Sequence, residues 1–309
     1  MISNVAVSNN GSYVMASGYN TSAGQGVVYF FNDRGKLLWN LTSNDYFYGS
    51  AISANGSVIV LQYLESVSYI SVDGKVLWNY SFPEAITNFA ISADSSHLAV
   101  GYFNAPSPNG TGGGSELCYL NSKGESLWNH TITDQGEIGF VSISSNGSYV
   151  ATGTLGRIVY FFAGNGTLLW SLLTFNANQQ GMISADASYL LIGESYGSLL
   201  YDFRGNLLLN DTQQPPSAIS RDGSLILLSG VSYYNSQVQP IELIENNSGT
   251  RTIYVLASLN ITGLSVLSVF PESNAEWVAG SGTIGPGAGE CSTLSFYNLS
   301  IVEAAVALC

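Results

Sequence analysis

The chemistry-bearing pattern that recurs most in this 309-residue chain is Asn-X-Ser/Thr. It occurs thirteen times, at Asn10, Asn20, Asn40, Asn55, Asn79, Asn109, Asn129, Asn146, Asn165, Asn210, Asn246, Asn260 and Asn298. This triplet is the acceptor for N-glycosylation, and chance at this composition predicts about five. Part of the excess is copying, because Asn-Gly-Ser is also good turn chemistry and Trp-Asn-X-Thr/Ser repeats as one feature at Asn40, Asn79 and Asn129. Sequons also stand outside the repeated positions, at Asn20, Asn109, Asn246, Asn260 and Asn298. The sequence therefore predicts a heavily N-glycosylated surface protein.

Three cysteines come next. Cys291 and Cys309 bracket the last two expected strands, where an antiparallel hairpin would set them opposite each other. A disulfide there would pin the terminal strand and imply an oxidising compartment. The alternative is two free buried thiols. Cys118 sits mid-strand beside Tyr119 and reads as a small buried residue.

Catalytic and metal constellations are sparse. The two histidines, His97 and His130, make no zinc spacing. Neither a nucleophile elbow nor a P-loop is present. The Gly-rich run GTGGGS at 110–115 precedes no helix, so it reads as a loop. Asp94, Asp186 and Asp222 recur in one turn position, a turn role. Glu65, Glu116, Glu194, Glu242 and Glu290 fall near the loop-rich side, where a converging pair would suit glycosidase-type acid–base work. No catalytic residue, cofactor or metal ligand is assigned.

Charge narrows the field. Only 9% of residues are charged, with 8 Lys plus Arg against 21 Asp plus Glu, a formal charge of -13. No basic run exists, which excludes nucleic-acid binding through phosphate neutralisation. Ser, Thr, Asn, Gly and Tyr take the place of charge. Apolar stretches are too short to span a bilayer as a helix. The first residues, Met1-Ile2-Ser3-Asn4-Val5, lack a basic region and an apolar core of a signal peptide, so the chain is either cytoplasmic or a mature or trimmed ectodomain, and the sequons and the cysteine pair favour the ectodomain.

The elements that must position these residues repeat. One half-motif is an apolar strand, a Ser, a tight turn and a second apolar strand, as in VAVSNNGSYVMASG at 5–18 and VSISSNGSYVATG at 141–153. The other is an aromatic strand, a Gly turn and Leu-Trp-Asn, as in VVYFFNDRGKLLWN at 27–40 and YISVDGKVLWN at 69–79. The Ser recurs at 8, 53, 92, 144, 184 and 220, a propeller-like period. Four short strands per period, joined by positive-φ turns, make one propeller blade. The expected fold is all-β, a single seven-bladed β-propeller with four antiparallel strands per blade; six or eight blades are the alternatives. Blades are expected at approximately 1–45, 46–84, 85–135, 136–176, 177–213, 214–260 and 261–309. Trp39, Trp78, Trp128 and Trp170 hold equivalent positions, with Leu209 in the fifth unit. They are expected to pack between blades, since one blade cannot bury both faces alone.

Alternation assigns the loops. Turns after first and third strands share one face and are short. Connections after second strands and between blades share the other, and the long loops at 19–26, 104–115, 231–240 and 281–290 belong there. Long loops on a rigid scaffold are where binding resides.

VDGKVLWN at 72–79 and NDRGKLLWN at 32–40 resemble the repeat of pyrroloquinoline-quinone-type (quinoprotein-like) β-propellers, and SRDGSLILLSG at 220–230 resembles WD40-like repeats. The resemblance covers 1–230 well and the remainder weakly. Quinoprotein dehydrogenases of that kind bind the quinone with an adjacent Cys-Cys pair and a calcium ion on eight blades. This chain has no Cys-Cys dipeptide, so dehydrogenase function does not carry over and no cofactor is expected. Other relatives are assembly scaffolds or surface interaction proteins. The expected function is an extracellular or cell-surface glycosylated module, not an enzyme, that binds a protein or glycan partner on its long-loop face or self-assembles. The alternatives are an enzyme (glycosidase, lyase or quinone-linked oxidoreductase) with its site at the central channel mouth, and a sensor ectodomain of a membrane protein.

Overall fold

The computed structural model describes residues 1–104, 114–132, 136–195, 197–211, 216–228, 241–247, 250–257, 264–272, 275–282, 292–293 and 307–308. Two compact units divide the chain, Met1–Ala177 and Asn178–Cys309. Every element among the described residues is a strand, and no helix there is long and apolar enough to cross a membrane.

The first unit holds four antiparallel four-stranded sheets, each built from consecutive sequence. Sheet one is β1 (Ile2–Val7), β2 (Tyr13–Asn20), β3 (Gln25–Asn32) and β4 (Leu37–Ser43). Sheet two is β5 (Gly49–Ile52), β6 (Val58–Gln62), β7 (Ser66–Ser71) and β8 (Val76–Ser81). Sheet three is β9 (Ile86–Ile91), β10 (His97–Asn104), β11 (Gly114–Asn121) and β12 (Ser126–Ile132). Sheet four is β13 (Ile138–Ile143), β14 (Tyr149–Thr154), β15 (Ile158–Ala163) and β16 (Leu168–Leu173).

The second unit continues the pattern with β17 (Asn178–Ile183), β18 (Tyr189–Glu194), β19 (Gly197–Asp202) and β20 (Leu207–Asp211). A sixth four-stranded sheet follows: β21 (Pro216–Ile219), β22 (Leu225–Leu228), β23 (Ile241–Asn247) and β24 (Thr250–Ala257). Then come two strand pairs, β25 (Leu264–Glu272) with β26 (Ala275–Gly282), and β27 (Ser292–Thr293) with β28 (Ala307–Leu308). The described residues thus form six four-stranded sheets and two hairpin-type pairs.

Sheets of this kind are apolar on both faces of their middle strands, so each must be covered twice. β6 is buried along its whole length, while β4, β8, β12 and β16 alternate exposed and half-buried. The cores accordingly lie between consecutive sheets. Met15 and Phe30 of sheet one meet Ile59, Leu61 and Ile70 of sheet two. Val60 and Tyr69 meet Leu98 and Val100 across the next seam, and Leu117 and Tyr119 meet Val150 and Phe162 across the third.

One local motif explains the recurrent Ser. Ser8, Ser53, Ser92, Ser144, Ser184 and Ser220 are all buried at 1% exposure or less. Each Oγ donates to the side-chain oxygen two residues on: Asn10, Asn55, Asp94, Asn146, Asp186 and Asp222. Each also accepts the N–H five residues on, as from Tyr13, Val58 and His97. The same Asn or Asp oxygen accepts the N–H of its own i+2 residue, an Asx-turn. The turn between first and second strands is therefore closed by side chains, and Asn and Asp serve it interchangeably.

The four tryptophans at equivalent positions are structural, as their spacing predicts. Trp39 stacks on Phe30 and Trp78 on Tyr69, with ring centroids 4.9 and 4.5 Å apart. Trp128 and Trp170 repeat this on Tyr119 and Phe161. Each stack is a direct cross-strand pair, and the fifth sheet pairs Leu200 with Leu209 in the same register. The indole N–H of Trp39, Trp78 and Trp128 donates to Val72, Ser122 and Gly164 of the following sheet.

The segment 19–26 is not the long loop expected from its composition. β2 and β3 run through it, pairing Tyr19 with Gly26 and Asn20 with Gln25. Asn20 Oδ1 accepts the N–H groups of Ser22 and Ala23, and Gly24 supplies φ +67°. A side-chain acceptor and a positive-φ residue make a tight hairpin where Gly and Ser content alone suggested slack. Most of the other three loops, at 105–113, 231–240 and 283–290, lies outside the described residues, as do Cys291 and Cys309.

Candidate interaction face

Antiparallel order places the β2–β3, β6–β7 and β14–β15 turns on one face of the first unit, with the connections between its sheets. We call this the loop face. The short first and third turns lie on the opposite face, and the fourth strands form the rim.

On the loop face, the connection from β4 to β5 reads Asp45-Tyr46-Phe47-Tyr48. Phe47 is buried and packs edge-on against Tyr63, which anchors the connection. Tyr48 N–H donates to Gln62 at 2.9 Å. With its neighbours fixed, Tyr46 is left 40% and Tyr48 56% exposed. Their rings meet edge to face at 5.0 Å, and Tyr19 of the β2–β3 hairpin closes on Tyr46 at 5.5 Å. Leu64 in the next hairpin is exposed, as are Phe103, Leu155 and Phe175. These are aromatic and aliphatic groups held on rigid turns and left in water.

Sequence reasoning missed this cluster because it weighed loop length. The signal was present in three aromatics within one short connection.

Charge is also sorted between the faces. In the first unit the short-turn face carries Arg34, Lys36, Lys75 and Lys123 against Asp33, Asp73, Asp94 and Glu125. The loop face carries Asp45, Glu65, Glu84, Glu116 and Glu137 against Arg157 among the described residues.

The described sequons divide likewise, and all nine of their asparagines are exposed. Asn40, Asn79, Asn129 and Asn210 lie on the fourth strands β4, β8, β12 and β20. Asn10, Asn55 and Asn146 lie in first turns and Asn165 in a third turn, where their side chains make the Asx contacts. On the loop side stands Asn20 alone among these nine. Asn246 falls in β23 by its backbone; Asn109, Asn260 and Asn298 lie outside the described residues.

The expected chemical groups do not form a visible reaction centre. Glu65 is exposed in the β6–β7 turn, and Glu116 in β11 accepts from Thr131 Oγ1 at 3.3 Å. Glu194 is buried in β18 of the second unit; Glu242 lies in β23 and Glu290 outside the described residues. No cluster of three or more metal-ligating side chains occurs among the described residues. Cys118 is buried between the second and third sheets, and burial, foremost, pushes its thiol up to about 11. Burial likewise lifts Tyr102 beside it to about 12, with Glu116 and Cys118 adding to the effect. Such a thiol stays protonated and unreactive at neutral pH. His97 is stacked face to face on Tyr119, 5.0 Å away, and burial lowers its pKa against the pull of Asp94. Both are packing groups.

Consecutive four-stranded antiparallel sheets, with cores between neighbouring sheets inside each unit, define a β-propeller. Against solved structures, the chain is similar to the β-propeller domain of Cps50 (Swd1) from Myceliophteria thermophila. The TM-score is 0.57 at 13% identity, over 76% of this chain and 81% of that one. The chain belongs to the PQQ_2 family, described as outer membrane protein assembly factor BamB, whose family model matches residues 3–207. No curated protein matches the sequence significantly.

Proposed function

We propose that this chain is a glycosylated, surface-exposed propeller without catalytic activity or cofactor, which holds a protein partner on its loop face. The observation that carries this reading is the division of the first unit's surface. The exposed aromatic side chains of that unit, Tyr46, Tyr48, Phe103 and Phe175, all stand on the loop face, whereas its exposed aliphatic ones also line the rim, as at Leu38, Leu77, Leu127 and Leu169; the described sequons of that unit, Asn20 apart, stand on the rim and short-turn face. Glycans at those positions would leave the aromatic side open. Solvent-facing aromatic patches on a rigid frame are the usual composition of a binding core. The family's description as an assembly factor supports a scaffolding role over an enzymatic one. Scarce charge, the sequon excess and the pair Cys291 and Cys309 support an extracellular setting.

Glycopeptide mapping of protein purified from its own cells tests the reading. Hexose-containing adducts are expected at Asn40, Asn79 and Asn129 and in the first-turn set. Unmodified peptides at all of these positions would refute the glycosylated surface reading.

A further inference from the structure

The partner's chemistry can be read from the same face. We infer that the segment docking on the loop face of the first unit is a basic stretch of polypeptide, rich in Arg or Lys; this rests on the reading of that face as the docking side.

Three observations converge. First, the charge is sorted although the chain has few charges to sort. Among the described residues the short-turn face is balanced, four basic side chains against four carboxylates, whereas the loop face carries five carboxylates and one basic side chain, with the ammonium of Met1 held on the Tyr19 carbonyl. Around the tyrosines, sheets one to three contribute Asp45, Glu65, Glu84 and Glu116, with no Lys or Arg on that side among the described residues. The one basic side chain described on that face, Arg157, belongs to the fourth sheet, where its Nη1 donates to Phe175. Second, Tyr19, Tyr46 and Tyr48 form a contiguous ring cluster with two members largely in water. Exposed tyrosine faces attract guanidinium and ammonium groups. Third, the carboxylates flank the rings in sequence: Asp45 adjoins Tyr46, and Glu65 adjoins Leu64. A basic side chain can therefore lie on a ring while its charge meets a carboxylate, and its alkyl stem covers Leu64.

An acidic or neutral partner gains the apolar contact but not the charge match, and like charges across an interface oppose docking. A neutral glycan would use the rings and leave the carboxylates idle.

The test uses natively produced protein and a fluorescent peptide of alternating arginine and serine, read by anisotropy at low and high salt. A glutamate–serine peptide and a neutral oligosaccharide are the comparison probes. The arginine peptide is expected to bind, and to weaken as salt screens the exposed charges. Asp45→Lys with Glu65→Lys should weaken it by about tenfold, since each exposed pair contributes up to about fivefold. Tyr46→Ser with Tyr48→Ser leaves net charge unchanged and should weaken it by about threefold to tenfold. Asp33→Lys with Asp73→Lys makes the same charge change on the short-turn face and should alter affinity less than about twofold, since screening localises the effect. All six positions are surface positions, and circular dichroism checks the fold.

Equal loss from both reversed pairs would mean attraction to the whole acidic molecule, and would overturn the inference. So would ring-dependent binding of the oligosaccharide with no preference for the arginine peptide. A partner trapped on the loop face that carries no basic segment would overturn this inference while leaving the docking face itself in place.

Discussion

The indole nitrogen of Trp78 donates to the carbonyl of Ser122 across 2.9 Å, joining the second sheet to the third. Trp39 makes the equivalent bond to Val72 at 2.7 Å, and Trp128 to Gly164 at 2.9 Å. One side chain thus performs two jobs in each of the first three sheets: it stacks on its cross-strand aromatic partner and ties down the third turn of the next sheet. The turn glycine is part of the joint, because a Cβ at Gly124 would stand 2.9 Å from the Trp78 ring.

These two jobs are separable by mutation. Trp78→Phe keeps the stack on Tyr69 and loses the hydrogen bond, at a cost of about 1 kcal/mol. Trp78→Ala loses both, and about 3 kcal/mol is expected for a half-buried ring. Urea unfolding midpoints of the two variants check the order. Equal losses would show that the stack contributes nothing.

The turn serine is a second test. Ser53 Oγ donates to Asn55 and accepts from the buried Val58 N–H at 3.1 Å. Ser53→Ala leaves that N–H without its acceptor, which costs about 1–3 kcal/mol. Ser57, four residues on and exposed, bonds Asn55 and Ser95 through its hydroxyl, and Ser57→Ala should cost about 1 kcal/mol or less because no buried N–H is orphaned. Thermal melts of both variants read the difference.

Gly147 has φ +71°, and a Cβ there would stand 2.3 Å from His97 Nδ1 and 2.6 Å from the Tyr119 hydroxyl. Tyr119 OH donates to the Gly147 carbonyl, so the site is fixed from two directions. Gly147→Ala is expected to lose about 2 kcal/mol or more from backbone strain and overpacking together. A melting temperature within a degree of the parent would contradict this seam geometry.

Stability should fall in acid in a defined window. Burial pushes the carboxyls of Asp94, Asp186 and Asp222 up, but hydrogen bonds from neighbouring Ser groups outweigh it and hold all three below the ordinary 3.8. A folded-state value below the unfolded one means the folded chain favours the carboxylate. The contribution is complete above 3.8 and is lost as pH falls through the lower folded values. Asp94→Asn should flatten this dependence with little loss at neutral pH, because Asn10, Asn55 and Asn146 already fill the same role. Urea midpoints at neutral and acid pH measure it. A steeper acid loss in the variant would contradict the assignment.

The cysteines should react unequally. We propose that Cys291 and Cys309 are bonded. β27 and β28 pair Ser292 with Leu308, the residues that adjoin the two cysteines in sequence. Cys118, buried with its thiol raised to about 11, should resist alkylation until the protein unfolds. Non-reducing digests after native and denaturing alkylation should show one label, gained on denaturation only. Three labels without reductant would refute the bond.

Much of the architecture was legible because its determinants are local and copied. A buried Ser followed two residues later by Asn or Asp marks each first turn, and Leu-Trp marks each fourth strand. The first signal arises from a turn that each blade closes with its own side chains, the second from a contact with the next blade. They fade after 230: the sheet of β21–β24 has Ile241–Asn247 and Thr250–Ala257 in place of the aromatic strand and Leu-Trp, so only apolar alternation marks it. The 19–26 hairpin was misread because a Gly- and Ser-rich composition does not reveal that Asn20 closes the turn with its own side chain. The face assignment followed from strand order, but its exposed tyrosines did not. Whether Tyr46 and Tyr48 reach water depends on Phe47 turning inward against Tyr63, a tertiary choice that three adjacent aromatics leave open.

The claim that one face of this propeller is kept for a partner is tested most directly by photo-crosslinking in the producing cells. A benzophenone amino acid replaces Tyr48 on the loop face in one strain and Ser122 on the short-turn face in another. Discrete protein adducts are predicted from position 48 and none from position 122. Adducts from 122 alone, or none from 48, would contradict the account.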